Sequence, residues 1–196
     1  MELISVFLKA FLIDNIVLMS FLALCPFIGM STDNKTAIGM GGAVIFVTVI
    51  ATAVTFPIYQ FLKANGMEFL QTLAFILVIA SLVQLLEFFL KKSIPALYNS
   101  MGIYFALITT NCAILGCTLN AVSKVKADGS GYSYLDAIVY SIGLSLGFML
   151  ALLLLAGIRK RISSSPVPAF LKGTPVLFAA AALMSMAFMG FGGLVK

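Results

Sequence analysis

The chain has no histidine and no tryptophan, and only seven of its 196 residues are acidic. Without histidine it lacks the side chain that ordinarily titrates near neutral pH, and with it the commonest nitrogen ligand for metals. Glycine-rich phosphate loops, dinucleotide fingerprints and nucleophile elbows are also missing. Those absences exclude the usual machinery of a soluble enzyme, and no residue is put forward as catalytic. Charged residues make up 10% of the sequence, against about a quarter in a soluble domain. The three cysteines are too few for a disulfide framework and lie in apolar stretches rather than loops.

What fills the sequence is apolar: 62% of the residues are hydrophobic. A segment of roughly 20 such residues is long enough to cross a bilayer. Six candidate spans can be traced, at about 4–24, 38–62, 69–90, 97–119, 133–157 and 174–194. They consume most of the chain, so residues 1–196 read as a single all-α integral membrane domain. The first span lacks a basic leader and a small-residue cleavage site, so it reads as a retained helix.

The net charge of +5 is a topological signal here and does not point to nucleic acid. With six spans, one side of the membrane carries Lys9, Lys63, Lys124, Lys126 and Lys196. The other carries Lys35, Lys91, Lys92, Arg159, Lys160, Arg161 and Lys172. Positive residues favour the cytoplasm, so the second side is expected inside and both termini outside.

The most informative pattern is a repeated one. Cys25 opens Cys25-Pro26-Phe27-Ile28-Gly29 and Cys112 opens Cys112-Ala113-Ile114-Leu115-Gly116, 87 residues further on. The first lies at the end of the first span and the second in the fourth, the opening spans of two three-span halves, about 1–92 and 95–196. Three spans per half force the second half to enter from the opposite side, giving two inverted three-helix repeats. Helices 1 and 4 are then expected to be broken, with Pro26 disfavouring helix at Cys25. Gly29, Gly116 and Asn111 are expected to be able to take left-handed backbone. Thiolates suit zinc, copper(I) or iron–sulfur centres, but two ligands do not complete a cluster. Cys117 lies about 140° round a regular helix from Cys112. Either the cysteines are structural, or a second protein supplies the missing ligands.

Other polar positions carry weaker readings. Asp14, beside Asn15, is an acid within a span, either on a cation or proton path or hydrogen-bonded at a helix contact. Glu87 and Lys91 are spaced for an interfacial ion pair. Gln71 and Gln84 are candidate interhelical hydrogen bonders, and Gly143-x-x-x-Gly147 matches a helix-dimerisation pattern. Gly39, Gly41 and Gly42 also suit close helix contact. Met184, Met186 and Met189 read as packing residues.

The chain resembles the membrane subunits of the Rnf and Nqr ion-translocating redox complexes. The likeness is strongest to the A component of Rnf and nearly as strong to the E component of Nqr. It is carried by Leu24-Cys25-Pro26-Phe27 with Gly29 and by Thr72 to Ala80. It continues through Ile108-Thr109-Thr110-Asn111-Cys112-Ala113 with Leu115-Gly116, and through Leu183-Met184-Ser185 with Ala187 to Phe191. The resemblance implies a bacterial or archaeal cytoplasmic membrane protein, part of a ferredoxin:NAD⁺ oxidoreductase coupled to Na⁺ or H⁺ transport. It further implies a [2Fe–2S] cluster shared with a homologous membrane partner of opposite topology, like the E component of Rnf, each chain giving two cysteines. Cys25 and Cys112 would be this chain's ligands. Backbone amides from Asn111 to Ala113 and from Phe27 to Gly29 are then placed to bond the sulfurs. Flavin- and iron–sulfur-carrying subunits complete the expected assembly. The alternatives are a small inverted-repeat transporter or channel without a redox cofactor, and a structural subunit whose thiols only pack.

Overall fold

A computed structural model describes residues 2–31, 34–66, 68–93, 107–108, 110–123, 133–164 and 173–190. Among these residues every regular element is helical. Two long helices form the frame: α4, Asn34–Ala64, and α7, Tyr134–Ser163. Both are long and apolar enough to cross a membrane. α4 runs through Pro57, which is exposed. α7 starts at a capping box, in which the Asp136 carboxylate accepts from the Ser133 N–H at 3.0 Å.

The two frame helices pack on each other more extensively than any other pair. Val44, Val47 and Ala51 of α4 and Leu144, Phe148, Ala151, Leu152 and Leu155 of α7 are buried in the shared core. A Cβ built on Gly41 would stand 2.6 Å from Met149 Cγ, so this glycine admits the crossing. Against the frame lie α5, Gln71–Ser93, with α6, Cys112–Ser123, and α8, Thr174–Met189. α8 begins at Thr174-Pro175, where a proline's missing N–H costs no bond.

The first expected span is broken more heavily than the sequence suggests. It consists of α1, Glu2–Leu8, a π-turn at Lys9–Ile13, a kink at Asp14–Asn15, then α2, Ile16–Ser20, and α3, Leu24–Gly29. The expected break at Cys25-Pro26 is corrected: both residues are helical and the interruption lies before them. Pro26 is the third residue of α3, within a first turn whose amides have no intrahelical acceptor, so it is tolerated there. None of Gly29, Gly116 and Asn111 has positive φ; in the first expected span left-handed backbone falls on Phe21, φ 52°, and Ala23, φ 63°. In the fourth expected span, Thr110 and Asn111 are non-helical and α6 starts at Cys112.

Gly143 and Gly147 serve contacts inside the chain. A Cβ on Gly143 would lie 2.9 Å from the Phe7 carbonyl oxygen, and one on Gly147 2.7 Å from that of Phe11. The pair forms a groove on α7 that seats the N-terminal segment. Large apolar side chains face outward on α5 and α8, including Leu73, Leu77, Phe88, Leu183 and Met186.

Candidate functional site

Cys25 is the second residue of α3 and Cys112 the first of α6, so each thiol sits in the opening turn of its helix. The amides of Leu24, Cys25 and Cys112 have no acceptor within their own helices, and helix N-termini favour anionic groups such as thiolates. Both thiols are exposed, whereas Cys117 is completely buried. Cys117 faces the Thr52 side chain of α4. The third thiol therefore belongs to the α4–α6 contact and lies apart from the exposed pair.

The Cys25 segment needs support because its backbone is irregular. Left-handed geometry costs a residue with a Cβ about 1–2 kcal/mol, and the chain bears this cost at both Phe21 and Ala23. Three side chains tie the segment to the frame and to α8. Asn15, fully buried, donates from Nδ2 to the Gly147 carbonyl at 2.9 Å. Ser185 of α8 donates to the Leu18 carbonyl at 2.5 Å, near the end of α2, where intrahelical donors run out. Arg159 of α7 donates from Nη1 to the Ile28 carbonyl at 2.9 Å and to Ser31 Oγ at 3.2 Å. Ser31 itself donates to the Ile28 carbonyl at 3.2 Å.

The Cys112 segment supplies its own cap. Asn111 Oδ1 accepts from the Ala113 N–H at 3.0 Å, which also fixes the orientation of the Asn111 amide. Asn111 is 5% exposed, and its Nδ2 is buried with no hydrogen-bond partner among the described residues. One turn on, a Cβ on Gly116 would approach Ile16 Cδ1 to 2.7 Å and Leu22 Cδ1 to 3.8 Å. α6 is thereby pressed onto the broken segment that leads to Cys25, and the two cysteine-bearing helices border the same irregular stretch.

Of the other residues singled out above, Phe27 and Ala113 are buried and Gly29 is exposed. The Phe27 amide already donates to the Ala23 carbonyl at 3.2 Å. Asp14 is half-buried and closes the π-turn, its amide donating to the Lys9 carbonyl at 2.9 Å. Met184 is buried, whereas Met186 and Met189 face outward. The Lys91 side chain expected to pair with Glu87 lies outside the described residues. Sequence reasoning misses Phe21 and Ala23, whose residue types carry no signal for left-handed backbone. It takes Arg159 only as a topological charge. Ser185, a hydroxyl in an apolar run, is a legible sign of an interhelical bond.

The donor set suits a shared soft-metal centre. Two exposed thiols sit at helix starts, and a buried amide donor that finds no acceptor among the described residues adjoins one of them. Among the described residues no three histidine, cysteine or acidic side chains converge, so these residues alone do not enclose an ion.

Comparison with known proteins gives this arrangement a family. The family model described as "Rnf-Nqr subunit, membrane protein" matches residues 3–195. The chain belongs to the Rnf-Nqr family of membrane subunits. It is 47% identical to the A component of the ion-translocating oxidoreductase complex of Syntrophotalea carbinolica, covering 99% of this chain and 98% of that protein. It is 45% identical, with the same coverage, to the A component of the Na(+)-translocating ferredoxin:NAD(+) oxidoreductase complex of Acetobacterium woodii. The corresponding A component from Methanosarcina acetivorans is 43% identical over 99% of this chain and 96% of its own length. The Rnf-Nqr assignment agrees with the outward-facing apolar surface, which soluble monomers seldom carry at this extent.

Proposed function

We propose that the chain is the A component of an ion-translocating ferredoxin:NAD⁺ oxidoreductase complex. It is not catalytic alone, and it holds half of a [2Fe–2S] site within the membrane. The observation that carries this reading is the pair of exposed thiols, Cys25 and Cys112, each opening a helix next to interrupted backbone, in a chain whose relatives match at full length. A homologous membrane chain of opposite topology would add the other two thiolates, and flavin- and iron–sulfur-carrying subunits would supply and accept electrons. In this reading the chain crosses the cytoplasmic membrane six times as two inverted three-helix repeats, with both termini outside.

Cys25 and Cys112 would hold the cluster, which when bound supplies one-electron transfer. The chain's own residues do the rest. The opening turns of α3 and α6 direct amide dipoles toward the thiolates, and Asn111 Nδ2 offers a hydrogen bond to an anionic sulfur, which tunes its potential.

The test is metal analysis and electron paramagnetic resonance on the purified complex, with Cys25→Ser and Cys112→Ser made separately. Each replacement should remove one [2Fe–2S] signal and, with it, the two irons of that cluster, and abolish ferredoxin-dependent NAD⁺ reduction. Unchanged iron and unchanged electron transfer in both variants would mean that the chain is a transporter or a purely structural component.

A further inference from the structure

Arg159 closes the basic run Arg159-Lys160-Arg161 onto the interior of the protein. Lys160 and Arg161 are exposed, but Arg159 is half-buried and its guanidinium is committed to one end of α3. Nη1 donates to the Ile28 carbonyl at 2.9 Å and to Ser31 Oγ at 3.2 Å, and Ser31 is fully buried. Ile28 is three residues beyond Cys25, about 4.5 Å along the helix axis. A six-residue helix cannot hold itself in place, since nucleating a turn is unfavourable and most helical stability comes from packing. On its N-terminal side α3 is entered through the strained pair Phe21 and Ala23, and the side-chain bonds on that side, from Asn15 and to the Leu18 carbonyl, act at or before Leu18.

Resting on the redox reading above, we propose that Arg159 is the positioning residue of the Cys25 site. It fixes α3 at its C-terminal end and places a permanent positive charge there. Three physical points support it. The last carbonyls of a helix are unsatisfied and carry the negative end of its dipole, which a cation complements. The Arg159 Nη1 carries two N–H donors and serves both acceptors at once. The bonds cross from α7, part of the rigid frame, to a helix of the broken segment, so the frame sets where Cys25 sits. A fixed cation this near also stabilises the more negative, reduced state of any electron carrier held by Cys25, raising its midpoint potential.

The experiment compares wild type, Arg159→Gln and Arg159→Lys by two readouts. The first is the midpoint potential of the [2Fe–2S] signal in the purified complex, titrated with dithionite as reductant. The second is the maleimide labelling rate of Cys25 relative to Cys112, in membranes holding the full chain from iron-limited cells. Arg159→Gln should lower the midpoint and raise Cys25 labelling several-fold, with Cys112 unchanged. Arg159→Lys should keep the wild-type midpoint, because the charge remains. Its Cys25 labelling should be intermediate, because an ammonium on a shorter, flexible stem is not pre-organised as the planar guanidinium is. A glutamine variant with wild-type midpoint and labelling overturns the inference. If that variant fails to assemble, the lysine variant decides: faster Cys25 labelling than wild type supports the clamp, and identical labelling overturns it. Absence of any cluster in the wild-type complex would sink the redox reading instead. The labelling comparison would still decide whether Arg159 positions Cys25.

Discussion

The two cysteine segments share a sequence pattern and are built in opposite ways. Cys25 rides on a six-residue helix held from outside, by Asn15 on the Gly147 carbonyl, Ser185 on the Leu18 carbonyl and Arg159 on the Ile28 carbonyl. Cys112 opens a twelve-residue helix capped by its own neighbour, Asn111. The matching glycines differ as well. Gly116 presses on Ile16, whereas no described residue lies within 4 Å of a Cβ on Gly29. Identical spacing therefore marks corresponding positions without implying corresponding support. The Cys25 side is held by side-chain hydrogen bonds from Asn15, Ser185 and Arg159, and the Cys112 side by a local cap together with the packing of α6 on α4 and on Ile16.

The largest effect that tests this contrast is expected at Gly147. A Cβ there meets the Phe11 carbonyl oxygen at 2.7 Å and the Asn15 Nδ2 at 3.4 Å. The first contact is backbone and does not yield, and the second is the bond that anchors the kink. Gly147→Ala should destabilise by about 1–3 kcal/mol, the usual range for overpacking. Thermal unfolding of the complex measures the loss. Cys25 should become labelled at lower temperature than Cys112, because the damage lies on the externally held side. Equal sensitivity of both thiols would erase the distinction between the segments.

Part of this was legible from residue types and part was not. The all-helical class, the long apolar α4 and α7 and the interruption next to each cysteine follow from hydropathy and from the two Cys-x-x-x-Gly stretches. The Asn111 cap is not among those expectations, which give Asn111 left-handed backbone, although asparagine is also a preferred residue before a helix. The break in the first span lies before Pro26 and not at it, because the residue types at Phe21 and Ala23 carry no signal for left-handed backbone. A proline in a first turn starts a helix as readily as it ends one. Gly143 and Gly147 showed that a close contact would form, but spacing does not say whether the partner is another molecule or the same chain. Arg159 was hidden because its role depends on a carbonyl 131 residues away, which no local pattern encodes.

A smaller, signed effect is expected at Ala23. This residue is left-handed at φ 63°, ψ 33° and 4% exposed. Ala23→Gly should stabilise the complex by up to about 1 kcal/mol by relieving that geometry. Ala23→Val should destabilise it, because a β-branched residue is a pronounced outlier at positive φ. Opposite shifts in Tm for the two variants support the left-handed entry to α3. Shifts of the same sign would mean that α3 is entered through ordinary backbone and needs less external support.

The smallest change is expected at Gly29 and gives the sharpest view of the partner. Gly29 ends α3, is exposed, has no φ in the left-handed range and has open space around its missing side chain. Within this chain Gly29→Ala should be neutral to within about 0.5 kcal/mol, since helix propensity favours alanine modestly and nothing opposes it. Gly116→Ala should cost more, because Ile16, 1% exposed, must move. Measured by Tm on the full chain in detergent, that ranking follows from the internal contacts alone. Repeating both variants in the assembled complex adds the missing surface. If Gly29→Ala now impairs assembly, a neighbouring chain approaches α3 closely at the very turn that follows Cys25. The two glycines then do the same work, one within the chain and one between chains.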